Sequence, residues 1–252
     1  MKAVGIIPAR IGSQRLKAKP LIDLKGKTVI ERVWLQAKQA KHLNDLYVAT
    51  DSDEIKNVCE KCGAKVIVTS SSLRTGTDRV AQAYQKLLDG GIEHVDLVLN
   101  IQGDMPFINP DLIDKCIKLA QDDDFEMATP VYPIYDREIF ERPSVVKVVF
   151  DSLGRALYFS RAPIPYPRND VVKSQPVGFK HIGLYVFKPK TLLDFANFET
   201  GNYESREGLE QLRLIENGVN VKLLFVDETL CSPGIEIDTD LDVERALSFL
   251  NN

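Results

Sequence analysis

Short apolar runs rich in β-branched residues recur through the first half of the chain, with segments of helical period between them. The runs are AVGII (3–7), LYVAT (46–50), KVIVT (65–69) and DLVLNIQ (96–102). Within residues 27–40, the apolar residues Val29, Val33 and Leu35 (of the pair Leu35–Gln36) recur near the period of a helix. Because strands that are apolar throughout are buried on both faces, this alternation predicts an α/β fold: a mostly parallel central sheet with helices on both faces.

The pattern changes after residue 125, where loops and turns rather than helices separate the apolar runs. The runs EMATPVYPI, VVKVVFD, ALYFSRAPIP and KHIGLYVF predict an extension of the sheet or a smaller β-rich lobe around residues 130–190, within a single domain of residues 1–252. A proline-rich polar loop spans residues 163–178, and loops of this length are often functional. Helical period returns in TLLDFANF and EGLEQLRLIENG, where Gly218 is suited to end the helix.

The charge balance excludes several classes of partner. The chain has 252 residues, 44% of them hydrophobic, and a net charge of −4. No global positive field therefore favours nucleic acid or an anionic membrane, and any anion must be bound by a local basic cluster. The first apolar run is too short for a signal peptide, and no run reaches the roughly 18 residues of a membrane span, so we expect a cytoplasmic protein.

The four cysteines do not form a disulfide framework, and Cys59 and Cys62 lack a second pair at zinc-finger spacing. The surrounding segment DSDEIKNVCEKCGAKV predicts a helix that ends at Gly63. We therefore interpret both cysteines as ordinary helix positions.

A basic loop, IPARIGSQRLKAKP (7–20), follows the first predicted strand. Such a loop lies at the carboxyl edge of a parallel sheet, where ligands bind in α/β folds. It contains neither a dinucleotide fingerprint nor a P-loop. Gly12 and Ser13 can turn backbone N–H groups inward, and the cations Arg10, Arg15 and Lys19 can neutralise a triphosphate. The alternative is a solvated basic loop without a ligand.

Ordered blocks along the whole chain resemble one enzyme family. They are IPAR-x-GS-x-RL-x-x-KPL from residue 7, VATD (48–51), GTDR (76–79), NIQGDMP (100–106), EMAT (126–129), VVKVV (145–149), ALYFSRAPIP (156–165), HIGLY (181–185), LEQLR (209–213) and IDTDLD (237–242). Their order is similar to that of the 3-deoxy-manno-octulosonate (Kdo) cytidylyltransferases, also called CMP-Kdo synthetases. The opening loop alone would also fit sialic-acid cytidylyltransferases.

The resemblance implies a Rossmann-like nucleotidyltransferase fold and the transfer of CMP from CTP to the anomeric hydroxyl of Kdo. Pyrophosphate leaves, Mg²⁺ is the cofactor, and the product serves lipopolysaccharide biosynthesis. Members are usually homodimers, and we expect the β-rich region to form the interface. Two hypotheses from other classes remain: a glycosyltransferase with Asp51–Ser52–Asp53 as a DxD metal motif, and a nucleotide-binding regulator without turnover.

For the nucleotide, the resemblance assigns a set of loop and turn residues: Pro8, Ala9, Arg10, Gly12, Ser13, Arg15, Lys19, Arg74, Gly76 and Gln102. Arg10, Arg15 and Lys19 would also act in catalysis by stabilising the departing pyrophosphate. Asp104 follows the apolar strand DLVLNIQG, so it should lie at the strand's carboxyl end, where a carboxylate suits Mg²⁺.

Asp238 is, by resemblance, the second metal carboxylate, although an aspartate before TDLDVERAL could instead cap a helix. The acceptor sugar needs a carboxylate receptor, for which Arg161 offers a bidentate fork. Family positions that face the sugar hydroxyls are Gln102, His181, Tyr185, Glu210 and Gln211.

Three departures from the family pattern leave the exact acceptor open. Lys17–Ala18 stands where Pro-Gly is common, Met105 replaces an acid, and Glu236 replaces a glycine and adds a third carboxylate near the metal. The acceptor could be Kdo, 8-amino-Kdo or another 2-keto-3-deoxy acid such as sialic acid.

Overall fold

The structure is a computed structural model that describes residues 1–12, 16–121, 125–168 and 174–251. Its strands are β1 (Ala3–Ala9), β2 (Asp45–Thr50), β3 (Lys65–Val68), β4 (Leu97–Ile101), β5 (Met127–Ile134), β6 (Lys147–Phe150), β7 (Ala156–Ser160), β8 (Gly178–His181), β9 (Leu184–Phe187) and β10 (Val221–Phe225). Its helices are α1 (Val29–Ala37), α2 (Asp53–Lys61), α3 (Gly76–Asp89), α4 (Pro110–Leu119), α5 (Arg137–Glu141), α6 (Pro189–Phe195), α7 (Asn202–Glu207), α8 (Leu212–Glu216) and α9 (Asp240–Phe249). Short 3₁₀ helices lie at Lys19–Leu21 and Glu228–Cys231.

The described strands form one sheet in the order β3-β2-β1-β4-β9-β5-β8-β6-β7, and β10 pairs with β5. The first four strands in this order pair in parallel, as does β10 with β5. The pairs β4–β9, β5–β9, β5–β8, β6–β8 and β6–β7 are antiparallel. The predicted α/β class and its parallel core are confirmed, and the β-rich region extends the same sheet.

Helices cover both faces of the sheet, and β1 is therefore buried on both sides. Ala3, Ile7 and Ala9 face a core that α1, α2, α4 and α9 complete, whereas Val4 and Ile6 face a core formed with α3, α6 and α8. Successive side chains of a strand point to opposite faces, so an entirely apolar β1 requires this double layer.

The helix ends follow local capping chemistry. Thr28 accepts a hydrogen bond from the Glu31 backbone N–H, and the Glu31 side chain accepts one from Thr28, so a capping box begins α1. The buried stripe of α1 differs from the predicted one: it consists of Val29, Ile30, Val33, Trp34 and Ala37. Leu35 is only partly buried, because the wider stripe centres on Ile30 and Trp34.

The CxxC pair belongs to a helix, as predicted. Cys59 is buried in α2, and the Cys62 thiol donates to the Cys59 carbonyl oxygen. Burial raises the pKa of Cys59 to about 12, so this thiol stays protonated and is a poor metal ligand. Gly63, with φ of 87°, directly follows the helix C-cap.

Two predicted segments are divided in the structure. KHIGLYVF forms β8 and β9, separated by Ile182 and Gly183. EGLEQLRLIENG does not form one helix: Glu207 is the last residue of α7, Gly208 with φ of 63° ends that helix, and α8 begins only at Leu212. Gly218, with φ of 74°, does follow the end of α8 as predicted.

Adjacent parallel strands bring the two main motifs together. Val4 of β1 pairs with Val98 of β4, so the basic loop and the segment 102–104 leave the sheet at the same edge. Gly103 allows their close approach, since a Cβ there would lie 2.5 Å from the Pro8 carbonyl oxygen. Within the described residues, no helix is both long and apolar enough for a membrane span.

Candidate active site

A polar cleft opens at this edge of the sheet and consists of two adjoining cavities of about 550 and 280 Å³. Both cavities are lined by Arg10, Lys19, Thr75, Gly76, Gln102, Asp104 and Asp238. Pro8, Ala9, Pro20, Arg79 and Gly103 complete the smaller cavity. The larger one extends past Arg74, Arg161, Lys180, His181, Tyr185, Glu204, Glu210, Gln211 and Glu236.

Two carboxylates and a lysine meet where the cavities join. The Lys19 ammonium donates to Asp104 at 2.8 Å and to Asp238 at 3.0 Å. Burial alone would lower the pKa of Lys19, but the charges and hydrogen bonds of both aspartates outweigh it and raise that pKa. The Lys19 ammonium lies between the two carboxylates, so oxygens of both are close enough to bind one cation together.

The backbone brings Asp238 to Asp104. The N–H of Ile237 donates to the Asp104 carbonyl oxygen at 2.8 Å, which fixes the segment before α9 against the end of β4. Thr239, not Asp238, caps α9, and Asp242 completes its capping box. The Asp238 carboxylate therefore takes no part in capping, and Asp242 is a first-turn residue of α9.

The basic loop contributes cations from both of its ends. Arg10 donates to the Arg74 carbonyl oxygen at 3.2 Å, and Arg74 donates to Thr200 Oγ1 at 3.2 Å. Gly12 is exposed, and a Cβ there would meet no atom within 4 Å. The predicted phosphate ligands Ser13 and Arg15 lie outside the described residues.

The N-terminus of α3 faces both cavities. Thr75 caps the helix, and a Cβ at Gly76 would lie 3.4 Å from Pro8 Cγ and 3.6 Å from Gln102 Oε1. The structure thus brings the predicted nucleotide residues Pro8, Gly76 and Gln102 together. The helix adds a partial positive charge at this end, which favours anions.

Glu210 is tied to the same helix. Its carboxylate accepts the Thr77 backbone N–H at 3.0 Å and the Gln102 side-chain amide at 3.3 Å. Burial raises the pKa of Glu210, while the hydrogen bonds of Thr77 and Thr75 oppose that rise. Glu210 therefore orients Gln102 in addition to lining the cleft.

Aromatic side chains form one wall of the larger cavity. His181 stacks on Tyr185 with ring centroids 5.6 Å apart, and its Nε2 lies 3.0 Å from Thr129 Oγ1. Burial, with a smaller contribution from Lys180, lowers the pKa of His181 to about 3, so the imidazole is neutral. Burial raises the pKa of Tyr185 well above its ordinary value, so its hydroxyl remains a donor.

Tyr185 donates to Gln211 Oε1 at 3.2 Å, which orients the Gln211 amide. The Gln211 Nε2 atom is buried and has no hydrogen-bond partner among the described residues. A buried donor without a partner is costly unless a ligand satisfies it. Gln211 therefore offers an N–H group to a ligand in the cleft.

The DxD hypothesis fails on geometry. Asp51 forms an ion pair with the buried Arg79 at 3.0 Å, Ser52 caps α2, and Asp53 is in its first turn. Each residue of the motif therefore has a local structural partner or position. No group of three His, Cys, Asp or Glu side chains among the described residues could hold a metal.

Two residues of the larger cavity, Lys180 and Glu204, did not emerge as site candidates from the sequence. The position next to His181 was the available signal for Lys180. Glu236, which the sequence placed as a third carboxylate near the metal, lines the same cavity. Burial raises its pKa to about 7, with Lys180 opposing and Asp104 adding to the shift.

Known proteins are similar to this chain along its length. A family model for cytidylyltransferases matches residues 4–223. The 3-deoxy-manno-octulosonate cytidylyltransferase of Thermodesulfovibrio yellowstonii is 40% identical over 256 residues, covering 100% of this chain and 99% of that protein. The 8-amino-3,8-dideoxy-manno-octulosonate cytidylyltransferase of Shewanella putrefaciens is 40% identical over 247 residues, 97% of each protein.

Solved structures are similar over the same length. CMP:2-keto-3-deoxy-manno-octonic acid synthetase complexed with CTP has a TM-score of 0.88 at 34% identity, covering 100% of this chain and 99% of that one. A 4-diphosphocytidyl-2C-methyl-D-erythritol synthase, at 16% identity with a TM-score of 0.65, covers 99% of this chain and 98% of its own, and shows the fold alone. The resemblance found in the sequence is confirmed along the whole chain, which belongs to the cytidylyltransferase family.

Proposed function

We propose that this chain transfers CMP from CTP to the anomeric hydroxyl of Kdo and releases pyrophosphate. The observation that carries the proposal is the convergence of Lys19, Asp104 and Asp238 between a smaller cavity beside the basic loop and a larger polar one. The full-length relatives with this activity in their names support the same choice of donor and acceptor.

The smaller cavity suits the nucleotide. Arg10 and Lys19 line it, together with Pro8, Ala9 and the start of α3 at Gly76. Two cations and a helix N-terminus favour a triphosphate, and they would stabilise the negative charge of pyrophosphate as it departs. Arg74, in contact with Arg10 at the rim, would add a further positive charge.

The donor set at the junction fits Mg²⁺. Asp104 and Asp238 supply carboxylate oxygens that already share the Lys19 ammonium, and Mg²⁺ is commonly held by one or two carboxylates together with substrate phosphates. When bound, Mg²⁺ would neutralise the attacked phosphate and acidify the attacking hydroxyl. Lys19 would then be available to the phosphates.

The reaction itself exchanges one P–O bond for another. The anomeric oxygen attacks the α-phosphorus, the bond to the bridging oxygen of the β-phosphate breaks, and the hydroxyl proton passes to water. His181 is not suited to take that proton, because burial holds its pKa at about 3. With His181 excluded as the base, positioning and charge neutralisation are the main contributions to the proposed reaction.

The larger cavity suits an acidic sugar. Arg161 lines it and can bind a carboxylate, while His181, Tyr185 and Gln211 present polar groups to hydroxyls. Gln102 lies between the two cavities and can contact either substrate. Relatives of equal identity act, by name, on Kdo and on its 8-amino analogue, so 8-amino-Kdo is the second candidate acceptor.

A homodimer formed through the β-rich region is also part of the proposal. Strand β7 lies at the edge of the described sheet, and Leu153, Leu157 and Tyr166 near it are 62%, 56% and 87% exposed. Exposed apolar side chains at a sheet edge favour association with a second copy. We propose cytoplasmic synthesis of the activated sugar for lipopolysaccharide assembly.

A pyrophosphate-release assay tests the function. CTP, UTP and ATP are each combined with Kdo, 8-amino-Kdo, sialic acid or the phosphate of a neutral sugar in the presence of Mg²⁺. We expect CTP with Kdo to give the highest kcat/KM. A higher value with UTP and a neutral sugar phosphate would contradict the proposal, and CTP binding without turnover would indicate a regulator.

A further inference from the structure

Lys147 of β6 is fully buried, with 0% of its surface exposed, yet it forms no hydrogen bond to a carboxylate in the described structure. Its ammonium donates to the carbonyl oxygens of Arg142 at 2.9 Å, Val145 at 2.6 Å and Arg161 at 2.5 Å. An ammonium has three N–H groups, so all of them bind backbone. Lys147 therefore joins the loop before β6 to the residue that follows β7.

Glu207, the last residue of α7, binds the same segment from the other side. Its carboxylate accepts the Ser160 hydroxyl at 2.6 Å and the Arg161 backbone N–H at 2.9 Å. Its backbone carbonyl accepts Arg161 Nε at 2.8 Å. The end of α7 is thereby fastened to the end of β7.

These contacts fix Arg161 but leave part of its guanidinium available. The backbone C=O, the backbone N–H and Nε are all engaged, and Nη1 lies 3.3 Å from the Pro143 carbonyl oxygen. Nη2 donates to no group of the described residues. Arg161 lines the larger cavity, whereas Lys147 and Glu207 do not.

We propose that Lys147 and Glu207 are positioning residues that hold Arg161 as the receptor for the carboxylate of the acceptor sugar. This inference rests on the proposed function, because it takes an acidic sugar as acceptor. A bidentate contact between guanidinium and carboxylate requires a fixed orientation, and arginine side chains are otherwise mobile. Three anchors on one residue supply that orientation before the sugar binds.

The charges of the unit support a shared role. Burial lowers the pKa of Lys147, the carboxylate of Glu207 opposes that shift, and the guanidinium of Arg161 adds to it. Glu207 is thus the anion that balances two neighbouring cations. Loss of its carboxylate would leave both cations without this counter-charge and the Arg161 backbone N–H without its acceptor.

Steady-state kinetics of the full chain test this inference. Wild-type turnover with Kdo, 8-amino-Kdo and sialic acid is measured first, and failure there would contradict the proposed function rather than the positioning role. With the acidic acceptor that is used best, Glu207→Gln and Lys147→Met should raise its KM at least about tenfold, while KM for CTP changes less than about twofold. Glu207→Gln keeps the side chain's shape, so it carries the test should Lys147→Met fail to fold.

A double-mutant cycle separates positioning from a general structural effect. Glu207→Gln should change kcat/KM less than about twofold once Arg161→Met has removed the receptor. The matched control is Arg155→Ala, which breaks an exposed ion pair with Asp151 at the other end of the β6–β7 hairpin and should leave both KM values unchanged. Additive effects of Glu207→Gln and Arg161→Met, or equal rises in both KM values, would overturn the inference.

Discussion

The ammonium of Lys19 lies 2.8 Å from an Asp104 carboxylate oxygen, at the junction of the two cavities of the cleft. The same ammonium is 3.0 Å from Asp238, so a cation from the basic loop lies between two acids that are far apart in the sequence. Two neighbouring carboxylates repel each other unless a cation lies between them. The lysine thus stabilises the close approach of the two carboxylates.

Asp104→Asn should be nearly inactive while remaining folded. The substitution keeps the shape but removes one of two charges that would hold Mg²⁺, so we expect turnover to fall about a thousandfold or more. Stability should change little, because Lys19 offsets the carboxylate repulsion that the substitution would otherwise relieve. Pyrophosphate release at saturating Mg²⁺ and urea denaturation measure the two effects.

Asp53→Asn is the matched control, since the Asp53 carboxylate only supports the first turn of α2. Its turnover should stay within about twofold of wild type. Near-normal activity of Asp104→Asn, or an inactive Asp53→Asn, would contradict the proposed metal site.

Ala18→Gly should stabilise the chain slightly. Ala18 adopts φ of 50° and ψ of 34°, a left-handed conformation that costs a residue with a Cβ about 1–2 kcal/mol. Glycine removes that cost but gives the unfolded chain more freedom, which offsets about 0.4–1 kcal/mol. We therefore expect a gain of roughly 0.5–1 kcal/mol in the free energy of unfolding, measured by urea denaturation.

The control for this prediction is Ala37→Gly in α1, where the backbone is helical and glycine should destabilise by about 1 kcal/mol or more. If both substitutions destabilise the protein equally, Ala18 does not carry the strain that its backbone indicates.

The sequence predicted those parts of the site that local pattern determines. An apolar strand followed by a basic loop placed Arg10 and Lys19 correctly at the sheet edge, and the strand before Asp104 did the same for the carboxylate. It did not predict the contact between Lys19 and Asp238, which are 219 positions apart, because only the packed chain brings such residues together.

Buried polar networks were the main omission. Lys147 lies within VVKVV and would be taken for the exposed residue of an alternating strand, yet it is fully buried. Its three acceptors are backbone oxygens, which leave no mark in a sequence. Helix α7 was missed as well, since NYESRE carries no apolar stripe and its position depends on ion pairs and caps.

Arg213→Met should strongly destabilise the protein. Arg213 is 2% exposed and forms ion pairs with Glu204 at 2.7 Å and Asp78 at 2.8 Å, and its guanidinium lies 4.1 Å from the Phe195 ring centroid. Removing the cation leaves a buried Glu204 uncompensated, which typically costs about 3–5 kcal/mol. Urea denaturation followed by circular dichroism measures the loss.

Arg155→Ala again serves as the control, because its ion pair with Asp151 lies at the surface and should contribute little to stability. Equal destabilisation by the two substitutions would show that the Arg213 network contributes no more than a surface ion pair.

His181 should make folding stability depend on pH below its ordinary pKa of 6.5. Burial against Tyr185 and Phe159, beside the positive Lys180, lowers the folded-state pKa to about 3. Between these two values the unfolded chain binds a proton that the folded chain does not. The stabilisation is therefore complete above pH 6.5 and is lost as pH falls, by about 1.4 kcal/mol per pH unit.

His181→Gln isolates this contribution from the titration of the carboxylates. Between about pH 7 and pH 5.5, wild type should lose about 1 kcal/mol more of its free energy of unfolding than the variant does. Urea denaturation at several pH values provides both curves, and the difference between them cancels groups common to the two proteins. Parallel curves over this range would mean that His181 is protonated as easily in the folded chain as in the unfolded chain. Its imidazole would then not be a neutral group in the wall of the larger cavity.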